Sequence, residues 1–306
     1  MRILVTGGCG YIGSALVPAL LNDGHSVDVV DTQWFGENLA AHSHLRVTKA
    51  AMGDVELAPG YDCIIHLAAV ANDPCGELDP KLTWEVNALA TMRLIDAAWR
   101  AGVRQFIYAS SGSVYGVKTE ERVTEALPCE PLSEYNKTKM VAERVVLSYA
   151  DRMTVQVLRP ATVCGYSPRT RLDVAVNALT IAALTTGKIT VFGGEQVRPN
   201  VHISDMVRAY QFMLSHPNFD RVYNVGFENH TLVELALMVQ EECGGTIHTE
   251  ATVDIRSYRL CSDKMLGAGF IPRSDVRAAI RGLKRAYQAG KLHDTANGYN
   301  LRVMPR

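Results

Sequence analysis

Thr6-Gly7-Gly8-Cys9-Gly10-Tyr11-Ile12-Gly13 is the stretch on which the reading of this 306-residue chain turns. It follows Met1-Arg2-Ile3-Leu4-Val5, a short apolar, β-prone run, and leads into Ala15, Leu16, Ala19 and Leu20, whose spacing is helical. Strand, glycine turn and helix in that order are the context a dinucleotide fingerprint requires. Gly7 would allow the turn, Gly10 the approach of backbone to a pyrophosphate, and Gly13 the packing of helix on strand. Tyr11 and Ile12 lie in the same loop. The helix amino end then offers unpaired N–H groups and a partial positive charge to phosphates. With 24 glycines in the chain, the motif alone also fits a plain strand–helix turn.

The next strand argues against that plainer reading. Ser26-Val27-Asp28-Val29-Val30 is apolar enough to be buried, and it ends in Asp31. An acid there accepts hydrogen bonds from the adenosine ribose and repels a 2′-phosphate, so the expected cofactor is NAD rather than NADP. Asp54, in Met52-Gly53-Asp54-Val55, follows the third strand and could reach the adenine edge or serve only as a turn acid.

The chemistry is expected downstream. Gln105-Phe106-Ile107-Tyr108-Ala109 reads as a buried strand, and Ser110-Ser111-Gly112-Ser113 stands at its carboxyl end, where open α/β sheets bind ligands. Tyr135 and Lys139 are four residues apart in a helical stretch and share one face. A free tyrosine has a pKa of about 10 and is a poor base at neutral pH. A neighbouring ammonium and the positive nicotinamide ring would stabilise its phenolate. Tyr135 could then take a proton from a sugar hydroxyl while Ser111 hydrogen-bonds the same oxygen. Tyr287 and Lys291 repeat the spacing without any serine-bearing strand end before them, so the pair alone carries no meaning.

Taken together, these residues resemble the extended short-chain dehydrogenases, in particular their nucleotide-sugar epimerase and dehydratase group. The likeness includes His66-Leu67-Ala68-Ala69, Asn87, Ser111 to Gly116, Leu158-Arg159-Pro160, Gly193 to Gln196, Arg198-Pro199 and Val201 to Asp205. It implies a doubly wound Rossmann α/β domain over residues 1–165 and 200–226. A smaller, interleaved nucleotide-sugar lobe would take residues 166–199 and 227–306. By position, Ser111, Tyr135 and Lys139 match the family's catalytic residues. Leu67, Ala68, Ala69 and Asn87 would lie beside the cofactor, and Asn177 would contact the substrate phosphates. Two departures bear on the reaction. Where 4,6-dehydratases of the group carry an Asp-Glu pair this chain has Gly112 and Ser113, and where 3,5-epimerases carry a cysteine it has Ser113. Tyr166 to Asp173 is similar to bacterial surface-sugar enzymes, among them GDP-heptose 4-dehydrogenases.

A sugar diphosphate suits arginine forks, and Arg169, Arg171, Arg198, Arg256 and Arg259 all fall in the second half of the chain. Ser113 and Thr162 are further candidates for the sugar pocket. The composition excludes other classes. A formal charge of −1 leaves no footprint for nucleic acid, and no apolar run approaches the ~20 residues of a membrane span. Seven cysteines without Cys-x-x-Cys spacing suit a reducing cytoplasm and no structural metal. The expectation is an NAD-dependent nucleotide-sugar 4-epimerase working through a 4-keto intermediate, with a homodimer implied by the resemblance. The alternative is a 4-dehydrogenase or reductase that releases its product. A dehydratase lacks its acids here, and a non-catalytic NAD-binding protein would have little reason to keep serine, tyrosine and lysine together.

Overall fold

Strands β1 (Arg2–Thr6), β2 (Ser26–Asp31), β4 (Cys63–His66), β5 (Gln105–Ala109) and β6 (Thr154–Pro160) are short, largely apolar runs, and β3 (Leu45–Lys49) is a more polar strand at the sheet edge. In the computed structural model, which describes residues 1–54, 56–252 and 257–304, they form one parallel sheet. With β10 (Val222–Val225) its order is β10-β6-β5-β4-β1-β2-β3. A parallel sheet is buried on both faces, which is why its strands read as continuous rather than alternating apolar runs. Ile3, Val5, Cys63, Ile65 and Ile107 pack on one face against helices Gly13–Asn22 and Ile203–Ser215. Leu4, Ile64, Phe106 and Tyr108 pack on the other against helices Ala90–Arg100 and Glu134–Leu147. The chain winds outward from β1 in one direction and from β4 in the other, so the crevice at their carboxyl ends is the switch point where such sheets take ligands. This is the doubly wound Rossmann architecture expected from the sequence.

The remaining strands build two small sheets. β7 (Thr162–Cys164), β9 (Val197–His202) and β11 (Glu228–Thr231) form one, and β8 (Lys188–Phe192) pairs in parallel with β12 (Thr246–Glu250). Helices Ala175–Thr186, Leu232–Cys243 and Val276–Gln288 close a separate apolar core around Ile189 and Val191. Thr231 and Glu234 form a capping box at the start of the helix Leu232–Cys243. The helix Ile203–Ser215 is capped by His202, whose Nδ1 accepts from the Ser204 N–H at 3.0 Å. A helix at Pro80–Trp84 widens into a π turn at Glu85–Leu89 before the helix Ala90–Arg100. Among the described residues, no helix is long and apolar enough to cross a membrane.

A buried polar network ties the carboxyl ends of β5, β6 and β10 together. Arg159 on β6 forms an ion pair with Glu143, both almost inaccessible to solvent. Glu143 also accepts from Ser110 Oγ at 2.7 Å, while Arg159 donates to the Tyr115 hydroxyl at 2.6 Å. The Tyr115 hydroxyl in turn donates to Asn224 Oδ1 on β10 at 2.8 Å. Removing one partner of a buried pair strands the other charge. Glu143→Ala is therefore expected to cost about 3–5 kcal/mol in urea denaturation. Glu143→Leu combined with Arg159→Met should recover much of that loss.

Candidate active site

The glycine loop bends as its sequence requires. Gly7 has φ +71°, and a Cβ there would stand 2.7 Å from the Ala68 backbone nitrogen. A Cβ on Gly13 would lie 2.5 Å from Gly7 O. Gly10 is different: its Cβ would approach only Gly7 O, at 3.2 Å, and otherwise face the cleft. Two glycines are thus closed in by protein and the third lies bare toward the cavity, where a diphosphate must pass close to backbone. No side chain caps the helix Gly13–Asn22, so its amino end is left to a ligand. Asp31 stands at the end of β2, with Oδ2 accepting from Cys9 N at 2.9 Å and Oδ1 from Gln33 N at 2.7 Å. Burial pushes its carboxyl pKa up, against those hydrogen bonds and the nearby Arg169 charge. The loop and the acid fit the adenosine and diphosphate of a dinucleotide.

The cleft holds about 1280 Å³, above the roughly 300–1,000 Å³ of a site for one small ligand, which leaves room for a second. Gly7, Gly10, Tyr11, Ile12, Gly13, Asp31, Gly53, Leu67, Ala68 and Ala69 line it on the strand-end side. The wall also carries Ser111, Ser113, Tyr135, Lys139, Thr162, Arg169, Arg171 and Arg198. Asp54 ends a short 3-10 turn, Met52–Asp54, beside Gly53.

At the reacting end, Ser133 caps the helix Glu134–Leu147 and sets Tyr135 in its first turn. The Ser111 side chain stands beside the Tyr135 phenol and favours its ionised form. Ser111 Oγ lies 2.7 Å from Ser113 Oγ and accepts from Ser113 N at 3.2 Å, and Ser113 Oγ donates to Asn136 Oδ1, so the Ser111 hydroxyl is fixed by the turn that follows it. Lys139 Nζ donates to the Ala109 carbonyl at 2.8 Å and stands 5.0 Å from the Tyr108 ring. The Tyr–Lys–Ser constellation and the glycine loop thus sit on one cleft.

The comparisons with known proteins agree with this geometry. Residues 3–226 match the NAD dependent epimerase/dehydratase family. The chain belongs to that family. Over 282 residues it is 32% identical to a UDP-glucose 4-epimerase of Mycolicibacterium smegmatis, covering 85% of this chain and 90% of the relative. Its fold is similar to that of MoeE5 in complex with UDP-glucuronic acid and NAD. That match has a TM-score of 0.85 and 30% identity, over 94% of this chain and all of the other. A UDP-glucose 4-epimerase of Thermus thermophilus in complex with NAD superposes with TM-score 0.82 at 27% identity, over 94% and 99% of the two chains.

For a member of the NAD dependent epimerase/dehydratase family, some expected residues stand elsewhere. Asn87 is not in the cleft wall. Its Oδ1 accepts from Val70 N at 2.8 Å, and its Nδ2 donates to Val70 O and Thr138 Oγ1, each at 3.0 Å. It pins the chain beyond β4 instead of facing a ligand. Asn177 is likewise fully buried, bonded to Gly165 N at 2.9 Å, the Tyr11 hydroxyl at 3.1 Å and Arg171 O at 2.8 Å. Its amide joins the substrate-side turn to the glycine loop and leaves nothing for a phosphate. Arg169 stacks on Phe35, with Cζ 3.8 Å from the ring centre, on the Asp31 side of the cleft. Arg259 is exposed, and Arg256 lies outside the described residues. Tyr287 packs with Leu172 and Leu283, away from the cleft.

Two cleft residues carried no readable signal. Asp73 opens the helix Asp73–Leu78 and accepts from Ser133 Oγ at 2.8 Å, and its charge bears on Tyr135. In the sequence, Asn72-Asp73-Pro74 reads only as a helix start. Tyr258 faces the same space, and no motif surrounds it.

The electrostatics differ from the simple expectation. Burial pushes the Tyr135 phenol up, opposed by the Arg171 charge and the Ser111 side chain. Burial also lowers Lys139 to about 7, so without a ligand it is not a full ammonium at neutral pH. Helical spacing set the shared face correctly; it could not show that Lys139 reaches the Ala109 carbonyl in a dry pocket. His66 is pushed down to about 3 by burial and held between Thr6 Oγ1 at 2.6 Å and Thr91 Oγ1 at 2.8 Å, a neutral packing residue. Between about 7 and the 10.5 of a free lysine, the unfolded chain binds a proton that the folded one does not. Stability of the ligand-free protein should therefore climb with pH across that window. Denaturation midpoints of Lys139→Met, compared with wild type, should lack that contribution.

Proposed function

We propose that this chain is a nucleotide-sugar 4-epimerase, and that Ser111, Tyr135 and Lys139 carry its chemistry. What supports this reading is their convergence at the opposite end of the cleft from Asp31, with no carboxyl group at positions 112 and 113. NAD, when bound, supplies the reversible two-electron acceptor that lets a sugar carbinol carbon become a ketone. Gly7, Gly10, Tyr11, Ile12 and Gly13 would hold its diphosphate, Asp31 its adenosine ribose, and Gly53 and Asp54 would flank the adenine. Leu67, Ala68 and Ala69 would line its middle, and Tyr135 and Lys139 would reach its nicotinamide ribose.

Tyr135 takes the proton of the sugar 4-hydroxyl and returns it to that same oxygen once the keto sugar has turned over, C4 then being reduced on its opposite face. Ser111 hydrogen-bonds that oxygen and keeps it in line with the phenol. Lys139, nearly free of solvent, stabilises the Tyr135 phenolate when it carries its proton. Ser113, Thr162, Arg171 and Arg198 form the sugar-nucleotide side, with residues 166–199 and 227–306 as its lobe. Uridine diphosphate sugars are the first substrate class to examine, since the 4-epimerase relatives and MoeE5 are named with them.

Proton NMR of the protein with NAD and a panel of UDP-hexoses tests the proposal. A C4-inverted sugar without net NADH is expected; a released 4-keto sugar with matching NADH would move the reaction to dehydrogenation. Tyr135→Phe should lower turnover by about 10²–10⁴ while the folded variant still binds NAD in titration.

A homodimer fits the same reading. Leu89, Met92 and Trp99 stand 44%, 44% and 41% exposed along one helical run, an apolar stripe of the kind that pairs with a second copy. Met92→Glu should shift sedimentation from dimer to monomer.

A further inference from the structure

Arg169 and Arg171 are two residues apart and both bear on Tyr11 and Cys75, but they differ in their further neighbours. The Arg171 charge bears on the Tyr135 phenol, while the Arg169 charge bears on Asp31. The backbone explains the division. Arg169 N donates to Ser14 Oγ at 3.2 Å, and Ser167 Oγ donates to Tyr11 O at 2.8 Å. The turn 167–169 is thus stitched onto the glycine loop and the first turn of the helix behind it, the place read above as the cradle for a diphosphate.

The side chain then spans that cradle. Its guanidinium lies over Phe35, just beyond β2, and donates to Asn300 Oδ1 at 2.6 Å. Asn300 is itself anchored across the strand ends. Its Nδ2 donates to Ala71 O at 3.1 Å, beyond β4, and its backbone N–H donates to Asp173 Oδ2 at 3.0 Å. Met304 extends the anchor by packing with Val70 and Cys75. Arg169 therefore bridges the cleft mouth from the loop after β2 to the strip after β4, passing above the end of β1.

This bridge is incomplete. Arg169 is 4% exposed, and its Nε–H has no hydrogen-bond partner. Among the described residues, no carboxylate forms an ion pair with it; Asp173, the nearest acid in sequence, pairs with Arg171. Burial and the Arg171 charge lower it to about 10. A buried guanidinium with an idle donor is costly unless an anion completes it.

We propose that Arg169 is a cofactor-binding residue, closing over the diphosphate of the bound dinucleotide, and that Asn300 holds it there as a clasp contributed by the carboxyl-terminal segment. The inference rests on the reading of this cleft as an NAD site. It removes Arg169 from the sugar-nucleotide side and leaves Arg171 and Arg198 there. A planar fork stacked on Phe35 and tied to Asn300 keeps its remaining donors in fixed directions, which suits phosphate oxygens better than a mobile lysine does. It also joins cofactor retention to the chain end: once the clasp is shut, residues on both sides of the cleft must separate before the dinucleotide can leave.

The test uses ligand-free full-length protein titrated calorimetrically with NAD, alongside KM for the UDP-sugar at saturating NAD. Loss of one charge-assisted contact predicts that Arg169→Met weakens NAD binding by about tenfold to a hundredfold, with KM for the sugar nucleotide little changed. Arg169→Lys should fall between, because it keeps the charge and loses the fork, and Asn300→Ala should speed NAD release in stopped-flow displacement. The two milder variants keep the test open if Arg169→Met does not fold. Arg171→Met should show the reverse pattern, with a raised KM and unchanged NAD affinity. An unchanged NAD affinity in folded Arg169→Met and Asn300→Ala would overturn the proposal, whether or not KM rises. Failure of the wild-type protein to bind NAD would instead overturn the underlying reading of the cleft.

Discussion

A side chain on Gly13 would come within 2.5 Å of Gly7 O, and one on Gly7 within 2.7 Å of Ala68 N. Those two contacts hold the first turn of the helix Gly13–Asn22 against the ends of β1 and β4, with no room for even a methyl group. The rest of the site is built on that closeness. Because β1 and β4 are neighbours at the point where the winding reverses, the gap above them is the widest opening that a fully covered parallel sheet leaves. The bare face of Gly10 opens into it.

The cleft is kept stiff by polar groups that have no direct part in the chemistry. Asn87 fastens Val70, Asn177 joins Tyr11 to Gly165 and Arg171, and Glu143 with Arg159 fastens Ser110 beside the reacting serine. Buried polar groups of this kind must be fully paired, and pairing fixes their geometry. The consequence is a dry pocket that raises the Tyr135 phenol and lowers the Lys139 amine. Both shifts favour neutral groups until charge arrives. The site is therefore tuned to respond to a bound cofactor and substrate rather than to stand permanently ionised.

Legibility in the sequence followed locality. The glycine loop, Asp31, the serine turn and the Tyr135–Lys139 pair each lie within a few residues of one another or at a strand end, and all of them line the cleft. The family-like asparagines misled because chain position shows which loop a residue occupies but not which way its amide points. Asn87 and Asn177 are both turned inward onto backbone groups. Asp73, Tyr258 and Asn300 were invisible because each comes to the site from a segment with no motif of its own.

From the sequence alone came the doubly wound sheet and the gathering of the glycine loop, Asp31, Ser111, Tyr135 and Lys139 on one cleft. Apolar runs, glycine spacing and helical periodicity are local properties, and local sterics and burial suffice to determine them. The tertiary structure alone decided the partition of the arginines. Whether Arg169 faces Asp31 and Arg171 faces Tyr135 depends on how the turn at 166–173 docks on Ser14 and where the carboxyl-terminal Asn300 arrives. Those contacts join residues more than a hundred positions apart, and direction at such a distance is set by packing, which no spacing along the chain encodes.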